Sequence, residues 1–198
     1  MEQQRHTEVE QKFALPEPDA MRDRLAELGA ALRGESRQVD VYFNHPARDF
    51  LADDVVSEWL RLRVDEPEDG PAVASINFKQ WLPLGAAEAT HADEYESQIA
   101  DRGAVSLLLG ALGFTEMVTV DKRRQRWLLA GGPARVEIAI DEVAGLGAFV
   151  EFEYDGDGDL DEADAAITKA VEAVTSGGVA LGERDRRGYP YLLLGRER

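Results

Sequence analysis

The run Glu8-Val9-Glu10-Gln11-Lys12, close to the start of the chain, guides the interpretation of the whole sequence. Successive side chains of a β-strand point to opposite faces, so Glu8, Glu10 and Lys12 are expected to share one face of a strand over 8–13. Carboxylates are preferred ligands of Mg²⁺ and Mn²⁺, and a neighbouring ammonium group suits a phosphate. A solvated edge strand has the same pattern, so the run alone leaves both interpretations open.

Composition restricts the class of protein. The chain has 198 residues and a formal net charge of −17, with no cysteine and only scattered histidines. This length suits a single domain over 1–198, and the acidity argues against a nucleic-acid binder and against attraction to anionic membranes. No apolar run approaches the roughly 20 residues of a membrane span. We therefore expect a soluble cytoplasmic protein without thiolate or histidine-rich metal sites.

Apolar periodicity separates helices from strands. Spacings of three and four residues predict helices over 19–29, 101–113 and 161–176, with Asp19 and Asp101 as candidate N-caps. Alternation predicts the remaining elements to be strands, with turn residues at 67–71 and 131–133 joining neighbours. These strands are expected over about 8–13, 38–43, 57–65, 73–81, 93–99, 118–129, 134–141 and 148–154. The fold class is therefore α+β, with an antiparallel sheet or barrel and helices between groups of strands.

Charged side chains occupy one face of strand after strand. An ordinary sheet with one packed and one solvated face would give this pattern. A curled sheet would instead enclose the charges, which must then be paired or bound to ions and ligand. A polyphosphate held by Arg and Lys, with a divalent metal bridging it to carboxylates, fits such an interior. The alternating residues include Arg61, Arg63, Lys79, Glu94, Glu96, Lys122, Arg124, Glu137, Asp141, Glu151 and Glu153.

An ordered set of segments resembles the CYTH superfamily, the triphosphate tunnel metalloenzymes, from Glu8 to about Leu194. This superfamily includes class IV adenylate cyclases, thiamine triphosphatases and inorganic triphosphatases. The matching segments are Glu8 to Lys12, Asp40-Val41-Tyr42-Phe43, Leu60-Arg61-Leu62-Arg63, Asn77-Phe78-Lys79, Asp93-Glu94-Tyr95-Glu96, Lys122-Arg123-Arg124, Asp141-Glu142-Val143, Gly145-Leu146-Gly147 and Phe149-Val150-Glu151-Phe152-Glu153.

The resemblance implies an eight-stranded antiparallel β-barrel, the triphosphate tunnel, flanked by α-helices. It implies that Mg²⁺ or Mn²⁺ is held by Glu8, Glu10, Glu151 and Glu153. It also implies that the triphosphate is gripped by Lys12, Arg61, Arg63, Lys79, Lys122 and Arg124. Glu94, Glu96, Glu137 and Asp141 would complete the lining as ligands or charge-balancing partners, and Glu10 and Lys12 would be catalytic.

Trp59 precedes Leu60-Arg61 and shares a strand face with Arg61 and Arg63. In thiamine triphosphatases, which this segment resembles, such an indole stacks on the organic part of the substrate. A packing residue at the tunnel mouth is the alternative interpretation, and the sequence leaves both open.

Three functions are compatible with these residues. The first is a metal-dependent triphosphatase, an enzyme that hydrolyses the terminal phosphate of tripolyphosphate, a nucleoside triphosphate or thiamine triphosphate. The second is a class IV adenylate cyclase, which would convert ATP to cyclic AMP and pyrophosphate with nearly the same residues. The third is a nucleotide or polyphosphate sensor without turnover. The sequence assigns no general base, and it is compatible with a monomer or a homodimer.

Overall fold

The structure is a computed structural model that describes residues 6–52, 56–86, 89–131 and 134–195. Its backbone contacts divide the chain into two compact units. Unit 1 comprises residues 1–8, 37–121 and 187–198, and unit 2 comprises residues 9–36 and 122–186. Two long strands, β3 (Ala31–Asn44) and β7 (Thr115–Gly131), contribute residues to both units.

Unit 1 is built on antiparallel strands hydrogen-bonded in the order β1, β6, β5, β4, β3 and β7. The strands contained wholly in this unit are β1 (His6–Glu8), β4 (Glu58–Pro67), β5 (Val73–Leu82) and β6 (His91–Ile99). Its helices are α2 (Arg102–Ala111) and the short α4 (Tyr189–Leu193). Leu109 of α2 packs into an apolar cluster with Phe43 and Leu62, which leaves the opposite strand face to polar residues.

Unit 2 is also built on antiparallel strands with helices packed on one face. Its strands are hydrogen-bonded in the order β3, β7, β8, β9 and β2. The elements contained wholly in it are β2 (Glu10–Ala14), α1 (Pro18–Glu27), β8 (Ala134–Val143), β9 (Gly147–Tyr154) and α3 (Leu160–Thr175). Ile138 and Phe152 face the helices and join Ile167 in the core. Because strand side chains alternate, Glu137 and Glu151 lie on the other face.

The α+β class with antiparallel strands and flanking helices is confirmed. The three predicted helices are present, but two begin differently. Helix α1 has Glu17 at its N-cap and Pro18 in its first turn, so Asp19 is not the cap. Helix α3 begins after Asp159, whose carboxylate accepts a hydrogen bond from the Glu162 amide.

The prediction of one continuous strand over 8–13 is wrong. Pairing is interrupted at Val9, so Glu8 ends β1 and Glu10 begins β2. Strand β1 pairs with β6, whereas β2 pairs with β9. Glu8 therefore belongs to the polar face of unit 1, and Glu10 and Lys12 belong to unit 2. With β1 and β2 counted as the two halves of one interrupted strand, the described strands are the eight antiparallel strands that were predicted.

None of the described helices combines the length and the apolar character needed to span a membrane.

Candidate functional site

Asp40 organises the cations of unit 1. Its side chain is 1% exposed and accepts two hydrogen bonds from Arg63, each of 2.7 Å, in a bidentate pair. Arg61, two residues earlier on the same face of β4, is 3.6 Å from the same carboxylate. We call Asp40, Arg61 and Arg63 the Asp40 centre. A bidentate pair fixes the plane of a guanidinium, so Arg63 is held more firmly than Arg61.

Arg61 has looser contacts. Its other close carboxylate is Glu94, also at 3.6 Å, and it is hydrogen-bonded to the Tyr42 hydroxyl. Among the described residues no acceptor contacts its buried Nε. Burial alone lowers the pKa of Arg61, but Asp40, Tyr42 and Glu94 outweigh that effect and raise the pKa above its ordinary value. Arg61 is thus a permanent cation whose buried Nε donor has no hydrogen-bond acceptor among the described residues.

Lys79 contacts a carboxylate and an indole of unit 1. Its ammonium lies 2.8 Å from a carboxylate oxygen of the buried Glu8. It also lies 4.4 Å from the centre of the Trp81 indole, in a cation–π contact. Lys79 and Trp81 are two residues apart on β5 and share its polar face. A predicted metal ligand and a predicted phosphate-binding lysine therefore contact each other directly.

The remaining carboxylates of this face lie on β6. Glu94 accepts a hydrogen bond from the buried Asn77 amide, and Glu96, which is exposed, accepts one from the Ser75 hydroxyl at 2.7 Å. Glu94 therefore connects β6 to Arg61, whereas Glu96 lies at the solvated edge of the polar face.

Trp59 is packed in the protein interior. It is 5% exposed and makes an edge-to-face contact with Tyr42, with ring centres 5.6 Å apart. Gly188 lies against its indole, because a Cβ added at that position would be 3.3 Å from the Trp59 Nε1. These contacts favour the packing interpretation of Trp59, and its contact with substrate stays a prediction. Trp81 is the more accessible indole of the polar face.

Asp141 organises the cations of unit 2. Its fully buried side chain accepts hydrogen bonds from Arg124 at 2.7 and 2.6 Å and from Lys122 at 2.9 Å. We call these three residues the Asp141 centre. Burial alone raises the pKa of Asp141, but Arg124 and Lys122 hold it well below the usual range. Arg124 also contacts Glu151, so a second predicted metal ligand pairs with a predicted phosphate-binding cation.

Strand register aligns carboxylates across unit 2. Glu10 lies opposite Glu153, and Glu153 lies opposite Glu137 on the other neighbouring strand. Lys12, which is buried, lies opposite Glu151. Burial, followed by repulsion from Glu153, raises the pKa of Glu137, while Arg126 and Arg124 act in the opposite direction. The row Glu10, Glu153 and Glu137 thus concentrates negative charge that a bound cation would neutralise.

These carboxylates suit a divalent metal in their chemistry. Oxygen donors are what Mg²⁺ and Mn²⁺ prefer, and a cation would offset both causes of the raised pKa of Glu137, which are burial first and repulsion from Glu153 second. As placed in the structure, no three His, Asp or Glu side chains of the described ranges are close enough together to hold a metal ion. The metal-binding roles of Glu8, Glu10, Glu151 and Glu153 stay predictions.

Sequence reasoning did not assign a role to three residues of these sets. Asp40 and Tyr42 were noted only as part of a matching segment, although they contact Arg61 and alternate on the same face of β3. Trp81 also contacts Lys79. It lies two residues beyond Lys79 on the same strand, so period-two alternation is the signal that could have identified it.

The family of the chain follows from comparison with known proteins. A family model described as the CYTH domain matches residues 6–189. The chain belongs to the CYTH domain family. A curated relative from Methanocaldococcus jannaschii, named as a candidate adenylate cyclase, is 27% identical over 182 residues, which cover 92% of this chain and 95% of the relative.

Solved structures share the fold. The PH1819 protein from Pyrococcus horikoshii is 30% identical with a TM-score of 0.77, and the match covers 96% of this chain and 99% of that protein. A candidate adenylyl cyclase from Hippeastrum, described as having a dominant triphosphatase activity, is 17% identical with a TM-score of 0.62. That match covers 96% of this chain and 97% of the other, and at this identity it shows the fold alone.

Proposed function

We propose that this protein is a divalent-metal-dependent triphosphatase, which hydrolyses the terminal phosphate of a linear triphosphate. The observation that carries the proposal is the pairing of predicted metal ligands with predicted phosphate-binding cations, Glu8 with Lys79 and Glu151 with Arg124. A triphosphate and a divalent cation together offer each of these groups a partner of the opposite charge. The ligand can therefore replace the internal ion pairs without leaving a buried charge uncompensated.

The proposed roles follow the family resemblance residue by residue. Arg61 donates to phosphate oxygens, because its Nε lacks a protein acceptor among the described residues and Asp40 lies at 3.6 Å. Arg63, Lys79, Lys122 and Arg124 add positive charge, and Lys12 binds phosphate next to the catalytic Glu10. The carboxylates of Glu8, Glu10, Glu151 and Glu153 hold Mg²⁺ or Mn²⁺, with Glu94, Glu96, Glu137 and Asp141 balancing the charge of the site.

The metal, when bound, supplies a positive charge that neutralises phosphate oxygens and favours attack by water. Water attacks the terminal phosphorus in line, the bridging P–O bond breaks, and orthophosphate and a diphosphate product leave. The arginines and lysines neutralise charge on the equatorial and leaving oxygens as the bond breaks. No general base is assigned.

A class IV adenylate cyclase is the second candidate, favoured by the name of the Methanocaldococcus jannaschii relative. The same cations would hold ATP, while its ribose 3′-hydroxyl attacked the α-phosphorus and pyrophosphate left. We prefer hydrolysis because it needs only water, a metal and a triphosphate, whereas cyclisation also requires a specific position for the ribose. We propose that the binding partners are small triphosphates and that the protein is located in the cytoplasm.

The deciding experiment incubates the purified protein with tripolyphosphate, thiamine triphosphate or ATP, with Mg²⁺ or Mn²⁺, and separates phosphate, pyrophosphate and cyclic AMP. Phosphate release without cyclic AMP supports the triphosphatase. Cyclic AMP with an equal amount of pyrophosphate identifies a cyclase instead. Binding without any product would identify the sensor.

Glu10→Gln tests the site within this assay. We expect the variant to lose about 10²–10³ in kcat, the scale of removing one group that stabilises the transition state. Glu172→Gln, an exposed residue of α3, is the matched control and should have wild-type turnover. Wild-type turnover in folded Glu10→Gln would contradict the assignment of Glu10.

A further inference from the structure

Helix α2 has an apolar stripe that the rest of unit 1 does not cover. Leu107, Leu108 and Leu112 are 78%, 55% and 62% exposed. With the exposed Ala104 and Ala111 they form the α2 stripe, whose spacing of three and four residues places all five side chains on one side of the helix. Contiguous exposed apolar patches of this kind mark interaction surfaces.

We propose that the α2 stripe binds the α2 stripe of a second copy of this chain, so that the protein forms a two-fold symmetric dimer. This inference is independent of the proposed function. It concerns a surface that contains none of the residues assigned to metal or triphosphate.

Charge restricts where a second copy can bind. The chain carries a net charge of −17, so two copies repel each other over most of their surface. The segment 103–115, which includes the stripe, contains no charged residue. A dimer through α2 therefore brings uncharged surfaces together over this segment, with the acidic Asp101 and Glu116 only at the two ends of the contact.

The order of small and large residues fits an antiparallel pair. A two-fold axis near Leu108 places Leu108 against its own counterpart and Ala104 against the second copy's Leu112. Small residues facing large ones allow the helices to approach closely and interdigitate. The stripe is therefore complementary to itself, as an interface between identical subunits requires.

The two ends of α2 are also complementary. Arg102 begins the helix, and no described residue accepts a hydrogen bond from its buried Nε. In the antiparallel pair this arginine approaches the carboxyl end of the second helix, where the negative end of the helix dipole and Glu116 attract it. A head-to-head parallel arrangement would instead bring the two arginines together, so charge selects the antiparallel one.

Sedimentation equilibrium tests the dimer. We expect a dimer with a dissociation constant in the micromolar range. The dissociation constant should fall as added salt screens the repulsion between the acidic surfaces. Leu108→Glu should weaken dimerisation about 100-fold or more, because it places two carboxylates at the symmetry axis. Leu84→Glu is the matched control, since Leu84 is 58% exposed but lies outside α2, and it should leave the dimer unchanged.

Cross-linking tests the symmetry independently of stability. The natural chain has no cysteine, so a single introduced thiol can only pair between molecules. Leu108→Cys should form a covalent dimer under mild oxidation, whereas Leu84→Cys should remain monomeric in denaturing electrophoresis. A wild-type monomer at about 100 µM, or equal cross-linking of the two cysteine variants, would overturn the proposal.

Discussion

The Asp40 centre of unit 1 and the Asp141 centre of unit 2 solve the same electrostatic problem in different ways. Each has one buried carboxylate and two cations two residues apart on a neighbouring strand. Asp141 binds both of its cations within 2.9 Å, whereas Asp40 binds Arg63 closely and leaves Arg61 at 3.6 Å. The difference indicates that the cations of the Asp141 centre are held more firmly, and that Arg61 is the cation best placed to exchange partners.

The largest expected effect is on stability. Asp141→Asn leaves Lys122 and Arg124 without their shared buried carboxylate, so we expect a loss of about 3–5 kcal/mol in the free energy of unfolding. Asp40→Asn should cost about half as much, because Arg61 keeps Glu94, whereas Lys122 of the Asp141 centre is almost fully buried. Urea unfolding at neutral pH measures both. An equal or larger loss for Asp40→Asn would contradict the proposed difference between the centres.

The same centre predicts a specific response to acid. The folded-state pKa of Asp141 is lowered, so its contribution is fully present above the unfolded value of about 4 and is lost as pH falls below it. The difference in unfolding free energy between wild type and Asp141→Asn should be constant from pH 7 to about pH 5 and shrink below about pH 4. The other carboxylates contribute equally to the pH dependence of both proteins, so their contributions cancel in this difference. A difference that shrinks already near pH 6 would contradict the assignment.

Activity should distinguish the two arginines of the Asp40 centre. Arg61→Ala should lower kcat/KM for tripolyphosphate about 10²–10³-fold while changing stability little, because Arg63 still neutralises Asp40. Arg63→Ala should mainly destabilise the fold, since it removes the two short hydrogen bonds that hold the buried Asp40 carboxylate. Steady-state kinetics and urea unfolding of both variants test the pair. If Arg63→Ala alone loses activity and stays stable, Arg61 is not the exchanging cation.

The sequence predicts which residues share a strand face better than it predicts which side chains those residues contact. Period-two alternation correctly grouped Arg61 with Arg63 and Glu151 with Glu153, because strand geometry alone decides which residues share a face. It missed the interruption at Val9, since the run around it has neither proline nor glycine to indicate a break. The bond from Arg63 to Asp40 joins two strands, and local periodicity contains no information about such long-range partners. The short helix α4 was likewise too brief for a periodic signal.

The surroundings of the tryptophans also differ between the two units, and this difference predicts where the organic group of a substrate binds. Trp81 contacts Lys79 in unit 1, whereas Trp127 of unit 2 packs against the helix core. Trp81→Ala should weaken ATP binding about tenfold relative to tripolyphosphate, because only ATP has a base to stack. Trp59→Phe is the control and should preserve the ratio, since Trp59 packs on Tyr42. A changed ratio in Trp59→Phe alone would instead support the stacking role implied by the family.

The smallest effect is expected at Glu137, beside the Asp141 centre. Its folded-state pKa is raised, so its contribution to stability is present below the usual value of about 4.3 and is lost as pH rises through the folded value. Glu137→Gln should therefore raise the melting temperature at pH 7 in EDTA by about 2–4 °C and have no effect near pH 4. Added Mg²⁺ or Mn²⁺ should reduce the advantage, because the cation would relieve the same repulsion in the wild type.

Glu142→Gln is the matched control, because Glu142 lies on the same strand but is exposed and pairs with Arg22. Removing that surface ion pair should lower the melting temperature slightly, and the change should be insensitive to Mg²⁺ or Mn²⁺. If Glu137→Gln and Glu142→Gln respond alike to pH and metal, the repulsion between Glu137 and Glu153 does not contribute to metal binding. Opposite responses would tie the carboxylate row of unit 2 to the metal.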